Sequence, residues 1–287
     1  MFETVLLVTL FVILCIASVS DFKTREVPDF VSFGAIACAF GLRALYSAIS
    51  WDYLPLLAGI LGFIVFYLFG YIMFYTGQWG GGDSKILMAI GAFLGLDLYF
   101  ENKVFAFFVS LVITGAIYGI VWSFVLAIKN RKSFFSNVKK LFQLKKYIFA
   151  RRITLLASIF FFLASFFVYS DKVVFVLFMF LAVSSILFFY LFIFVKSVEN
   201  CCMLKWVEPE VLTEGDWIAK DVVVAGKKIC GPKDLGISKI QIKKLMELSL
   251  NGKIKKVLLK TGIPFVPSFL LALLFMQLFG NILLKFL

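Results

Sequence analysis

The chain has 287 residues, of which 62% are hydrophobic, and its mean hydropathy of +1.00 lies far above that of a soluble domain. A water-soluble globular fold is excluded. The 29 Lys and Arg outnumber the 17 Asp and Glu by a formal +12, and there is no histidine, which removes Ser-His-Asp triads, Cys-His dyads and H-E-x-x-H zinc sites together.

A hydrocarbon core of about 30 Å takes about 20 apolar residues per crossing helix. Eight runs read as spans: Thr4 to Ser20, Phe30 to Ile49, Tyr53 to Thr76, Ile86 to Phe100, Val104 to Ile128, Ile153 to Tyr169, Val173 to Val195 and Pro264 to Leu284. The fourth is short and the sixth marginal. The predicted fold class is therefore an all-α polytopic membrane protein of about six to eight transmembrane helices, with a small α+β domain before the last.

The first run is preceded only by Glu3 and followed by no small-residue cleavage site, so it reads as a retained helix and not a signal peptide. Directly after it stands an acidic cluster, Asp21-Phe22-Lys23-Thr24-Arg25-Glu26-Val27-Pro28-Asp29. After the third run comes Gln78-Trp79-Gly80-Gly81-Gly82-Asp83-Ser84-Lys85. Between Asp21 and Asp83 lies one out-and-back pair of crossings, which returns both carboxylates to the same side of the bilayer.

The stretch Lys129 to Arg152 carries nine basic residues and no acidic one. The positive-inside rule places it in the cytoplasm, and counting back puts both carboxylate loops there too, with the N-terminus outside. Its charge suits anionic headgroups, not nucleic acid, and Phe134, Phe135, Leu141, Phe142 and Leu144 suit an interfacial amphipathic helix.

Between Lys196 and Gly262 the composition becomes that of a small soluble domain. Val222 to Val224 and Ile229, around Ala225-Gly226, predict a hairpin; Ser238 to Leu250 predicts an amphipathic helix with Ser238 as N-cap; Lys255 to Lys260 predicts a strand. Ile263-Pro264-Phe265-Val266-Pro267 reads as a stiff lead into the last helix. The organisation expected is a catalytic membrane domain over 1–128, a basic loop over 129–152, additional spans over 153–195, a soluble cytoplasmic domain over 196–263 and a final helix over 264–287.

The cysteines (Cys15, Cys38, Cys201, Cys202, Cys230) show no C-x-x-C spacing, so neither a metal site nor any cofactor is expected. A hydrolase built from these residues must use carboxylates or a Ser-Lys pair. Ser84 and Lys85 are sequence neighbours whose side chains diverge on a helix. Asp21 and Asp83 fit better, because aspartic proteolysis needs only two carboxyls that share one proton. Gly80, Gly81 and Gly82 would let the backbone adopt φ > 0 and let a substrate strand approach, and Gly91-x-x-x-Gly95 permits close helix contact. The plainer alternatives are that Asp83 caps the fourth helix and that Asp21 is an interfacial anchor paired with Lys23 or Arg25.

These motifs resemble the type IV leader peptidases, GxGD membrane aspartic proteases that process prepilins and, in archaea, preflagellins. The resemblance rests on Asp21-x-x-Thr24-x-x-Val27-Pro28 and on Gly80-x-Gly82-Asp83-x-Lys85, and covers about the first 130 residues. It implies Asp21 and Asp83 as the catalytic pair, with Gly80, Gly82 and Lys85 in the active-site loop. Glu214-Gly215-Asp216, Gly236-Ile237-Ser238 and Gly262-Ile263-Pro264-Phe265-Val266-Pro267 look like the archaeal branch, a sign of ancestry more than of chemistry. Asp29 stands where the family often has asparagine, which keeps it open as an alternative to Asp21. The missing C-x-x-C pairs imply cleavage without the methylation that bacterial members add.

The substrate so implied is a type IV pilin-like or archaellin precursor with a short basic class III leader, cut at the cytoplasmic face of the cell membrane. Glu26 and Asp29 are candidates for leader recognition, with interfacial ion pairing as their simpler role. A presenilin-like protease is disfavoured by the absence of a Pro-Ala-Leu element. The alternative from another class is a transporter or channel using the membrane-edge carboxylates; a non-catalytic subunit of a secretion assembly is a third.

Overall fold

The computed structural model describes residues 1–96, 103–224 and 226–283. Residues 97–100 of the predicted fourth span, Ala225 of the predicted hairpin turn and Leu284 of the predicted last span lie outside them. The described residues fall into two compact units, one of Met1–Val121 with Val207–Leu287, the other of Trp122–Trp206.

The molecule is a mostly helical polytopic membrane protein. Six helices among the described residues are long and apolar enough to cross a bilayer. In the first unit these are α1 (Phe2–Thr24), α2 (Asp29–Ser50), α3 (Leu54–Tyr75) and most of α5 (Lys103–Lys129), with the shorter α4 (Gly81–Leu94) between α3 and α5. The 14 residues of α4 rise about 21 Å, short of a full crossing.

Arg43 explains how so short a helix ends inside the bundle. It is 2% exposed, and its guanidinium donates to the carbonyls of Ala92 (2.7 Å), Phe93 (2.8 Å) and Pro55 (2.7 Å). Ala92 and Phe93 belong to the last turn of α4, whose carbonyls have no intrahelical partner. The cation also sits where the helix dipole favours positive charge. Gly95, at φ 69°, then turns the chain, and any side chain there or at Gly59 would collide with the Arg43 side chain.

Along its length α4 packs on α3 and α2. A side chain on Gly62 would strike the Gly91 carbonyl, and one on Gly91 the Gly62 carbonyl, so the two backbones touch. The inward face of α1 is a line of Leu6, Leu10, Leu14, Ala17, Ser18 and Asp21. The last helix, α10 (Val266–Leu283), lies against α1, burying Val266, Phe269, Ala272 and Leu273 in the same core.

The extramembrane part of this unit is small. Strand β2 (Trp217–Ile218) pairs antiparallel with β5 (Val257–Lys260), and β3 (Val222–Val224) with β4 (Lys227–Cys230), the predicted hairpin. Between them α9 (Lys239–Leu250) is capped by Ser238, whose hydroxyl accepts the Gln241 N–H while the Gln241 side chain accepts the Ser238 N–H. Leu212, Ile218, Ile229, Cys230, Ile237, Leu245 and Val257 form its core. Burial pushes the Cys230 thiol up to about 11, so it serves as packing.

In the second unit α6 (Arg131–Gln143) occupies the basic stretch, α7 (Lys145–Phe167) and α8 (Lys172–Val198) form a hairpin, and β1 (Leu204–Val207) follows a π-helical turn at Glu199–Met203. Leu141 of α6 is buried with Tyr147, Phe189 and Ile193, while Phe135 stays exposed. Helix α7 begins eight residues before the predicted span, because Lys145, Lys146, Arg151 and Arg152 continue the helix with their charged ends free to reach outward.

Candidate active site

The sequence predicts that the acidic cluster and the glycine loop converge, and they meet at one end of the first unit. Val27, buried between α1 and α2, has its amide nitrogen 3.4 Å and its Cβ 3.5 Å from the place a Gly82 side chain would take. Asp29, in the first turn of α2, pairs with Lys85 of α4 at 2.6 Å. The carboxylates of Asp21 and Asp83 lie within electrostatic reach of each other.

Asp21 occupies the last turn of α1 and is 4% exposed. Its Oδ2 accepts the backbone N–H of Val266 at 2.9 Å, so the first residue of α10 is hydrogen-bonded to the side chain that ends α1. The helix is closed by Arg25 in a left-handed conformation (φ 62°), whose amide donates to the Asp21 carbonyl at 3.0 Å. That turn aims the Arg25 guanidinium at the Gly262 carbonyl, 2.7 Å away. The phenol of Tyr118, on α5, interacts electrostatically with both Asp21 and Arg25.

Asp83 is the third residue of α4, half-buried, and its Oδ2 accepts the N–H of Gly80 at 3.1 Å. Gly80, not Asp83, is the N-cap, and Asp83 reaches back to it as a capping-box acceptor does. One Asp83 oxygen is thus committed to its own helix, which leaves the other to solvent or substrate.

The expected positive φ at the glycines is not found there. Gly80 has φ −71°, and Gly81 and Gly82 are helical. The left-handed residue of this loop is Gly77 (φ 69°), and a side chain on it would press on the Trp217 ring. What Gly82 provides is room beside Val27.

The remaining candidates are engaged with protein partners. Glu26 accepts the Thr213 hydroxyl at 2.8 Å. Lys85 lies over the Phe33 ring at 5.0 Å while it pairs with Asp29. Ser84 donates to the Gly70 carbonyl at 3.0 Å, so Ser84 and Lys85 serve different partners.

Sequence reasoning missed the share that the C-terminal segment has in this site. Trp79 packs against Phe69 (5.6 Å between ring centroids), Phe265 (5.2 Å) and Phe269 (5.5 Å), an aromatic wall drawn from α3, the glycine loop and α10. The Ile263-to-Pro267 segment therefore carries an amide to Asp21 and the Phe265 ring to Trp79. Its signal was the pair of prolines that fix where α10 starts.

Fold and site together define a multi-pass helical membrane protein with two acidic side chains converging at one end of its bundle. Residues 8–120, which hold both aspartates, match the sequence model of the Type IV leader peptidase family. It is similar to the preflagellin peptidase of Methanococcus maripaludis, 35% identical over 129 residues (41% of this chain, 55% of the relative). It is also similar to the preflagellin peptidase of Methanococcus voltae, 32% identical over 145 residues (47% and 60%), and to that of Methanocaldococcus jannaschii, 40% identical over 81 residues (28% and 34%). The chain spans little more than half the length of the first two relatives it matches. No solved structure matches it.

Proposed function

We propose that this chain is a membrane aspartic endopeptidase that removes short basic leaders from type IV pilin-like or archaellin precursors. Cleavage takes place at the cytoplasmic face of the cell membrane. The observation that carries this reading is the convergence of Asp21 and Asp83 from α1 and α4 within the segment that matches the family. The preflagellin peptidases among its relatives support the substrate class. The basic stretch of residues 129–152 supports the orientation and contacts anionic lipid headgroups through α6.

In the reaction one carboxylate takes a proton from water as the water oxygen attacks the scissile carbonyl, and the other, protonated, gives its proton to the carbonyl oxygen. A gem-diol results. The first group then passes its proton to the leaving nitrogen, the C–N bond breaks, and a gem-diol hydroxyl returns a proton to the second. One water is consumed and both carboxyls are restored. Gly80, Gly82 and Lys85 shape the loop around Asp83.

Co-expression with candidate precursors, followed by mass measurement of their N-termini, tests the reading. Shortening at a fixed site after a basic leader is the expected result. Precursors left intact beside well-inserted protein would contradict it and favour a carrier role for the membrane-edge carboxylates.

A further inference from the structure

The two aspartates differ in what surrounds them. Asp21 accepts the Val266 amide at 2.9 Å in a buried setting. That amide is one of the N-terminal donors of an 18-residue helix, which have no intrahelical acceptor and lie at the positive end of its dipole. The donor is held from three sides. Arg25 grips the Gly262 carbonyl at 2.7 Å. Phe265 lies between Trp79 (5.2 Å) and Gly115, where an added side chain would meet the Phe265 ring at 3.3 Å. The Ser268 amide (2.9 Å) and hydroxyl (2.7 Å) both return to the Phe265 carbonyl.

The charged and titratable groups around the pair add to the asymmetry. Arg25 stands one turn from Asp21, and α5 presents Tyr118. The cation next to Asp83 in sequence is Lys85, which is committed to Asp29 of α2. Glu26 is turned to Thr213, and the start of α10 offers Asp21 the Val266 amide, with the Phe265 amide beside it. Asp83 also accepts an amide, but a longer one, from its own N-cap.

We propose that α10 is a working part of the dyad, its Val266 amide being the positioning group that fixes Asp21 as the carboxylate. Asp21 then takes the proton from water, and Asp83 holds the proton that polarises the scissile carbonyl. This rests on the reading of Asp21 and Asp83 as a proteolytic pair. It gives the C-terminal helix, outside the segment that matches the family, a chemical role that a mere membrane anchor lacks.

The test removes one hydrogen atom's worth of chemistry. Val266→Pro deletes the donor at a helix position that tolerates proline; an ester in place of the Phe265–Val266 amide deletes it without the ring, should the proline variant fail to fold. In a D83N background the Asp21 carboxyl is titrated by its infrared band. A charge-assisted hydrogen bond lost from the ionised form should raise the midpoint by about one to two pH units. The same ester at Leu271, in the second turn, should leave it in place. In the parent chain the acid limb of precursor cleavage should rise in step, with kcat falling below that limb and KM unchanged. An unmoved Asp21 midpoint would overturn the proposal, as would an infrared titration in which the lower-titrating carboxyl disappears in D83N and not in D21N. If the midpoint moves while the parent chain cleaves no precursor, the positioning role stands and the protease reading fails.

Discussion

Asp29 and Lys85 face each other at 2.6 Å across α2 and α4, so the carboxylate that competes with Asp21 in the sequence is tied to a cation from the other motif. Their side chains are 68% and 31% exposed, and a pair so open to water contributes at most about 1 kcal/mol. Asp29→Asn and Lys85→Gln should each shift thermal unfolding in detergent by no more than that and retain most precursor cleavage. A dead D29N beside an active D21N would transfer the catalytic role to Asp29.

Arg43 is the opposite case, a buried cation that satisfies the Ala92 and Phe93 carbonyls of the last turn of α4 and also donates to Pro55. Arg43→Met keeps the apolar stem and orphans the Ala92 and Phe93 carbonyls, at about 1–3 kcal/mol each. The expected result is a loss of about 2 kcal/mol or more in detergent unfolding, with cleavage falling in parallel because α4 carries Asp83. An unfolding midpoint close to that of the parent protein would show that the α4 terminus does not depend on Arg43.

Gly82 separates room from backbone freedom. Because it is helical, Gly82→Ala should be stabilising by up to about 1 kcal/mol and should remain active, since its methyl group meets Val27 at ordinary contact distance. Gly82→Val adds branches against Val27, and overpacking of that kind costs about 1–3 kcal/mol. Cleavage should fall about tenfold, the equivalent of 1.4 kcal/mol in the barrier. An inactive G82A would restore the need for a conformation that only glycine adopts.

Much of this organisation is legible in the sequence. Hydropathy locates α1, α2, α3, α5 and α8 to within a few residues, and Ser238 announces α9 three residues before Gln241 closes its capping box. That α4 is short was legible, but its ends were not: it runs Gly81–Leu94, and its C-terminus depends on a guanidinium delivered from α2, which no local pattern encodes. The glycines of the Asp83 loop suggested left-handed backbone, but only Gly77 has it; the room beside Gly82 is bounded by Val27, a tertiary fact. The contribution of Val266 was invisible for a deeper reason. A backbone amide has no residue type, so only the fold shows which one reaches Asp21.

Asp216 gives the extramembrane part a pH dependence of its own. Burial holds its carboxyl above the ordinary carboxylate range; hydrogen bonds from Thr213 oppose this, and the neighbouring Glu26 charge adds to it. The folded state therefore binds this proton more tightly than the unfolded chain does. The group favours folding at low pH, and that advantage is lost as the pH rises from the unfolded value of about 3.9 through the folded one. Asp216→Asn retains an acceptor for the Thr213 amide and removes the charge. It should unfold at a higher temperature than the parent at pH 7, and the difference should narrow towards pH 4. A difference independent of pH would point to packing in place of charge.

The central claim is that Asp21 and Asp83 perform the cleavage together, and isosteric removal of each charge tests it most directly. Asp21→Asn and Asp83→Asn are expressed beside a precursor, membrane insertion is verified, and the mass of the precursor's N-terminus is measured. The account predicts intact leaders in both variants and a removed leader with the parent protein. Leader removal by either variant at the parent rate would contradict it.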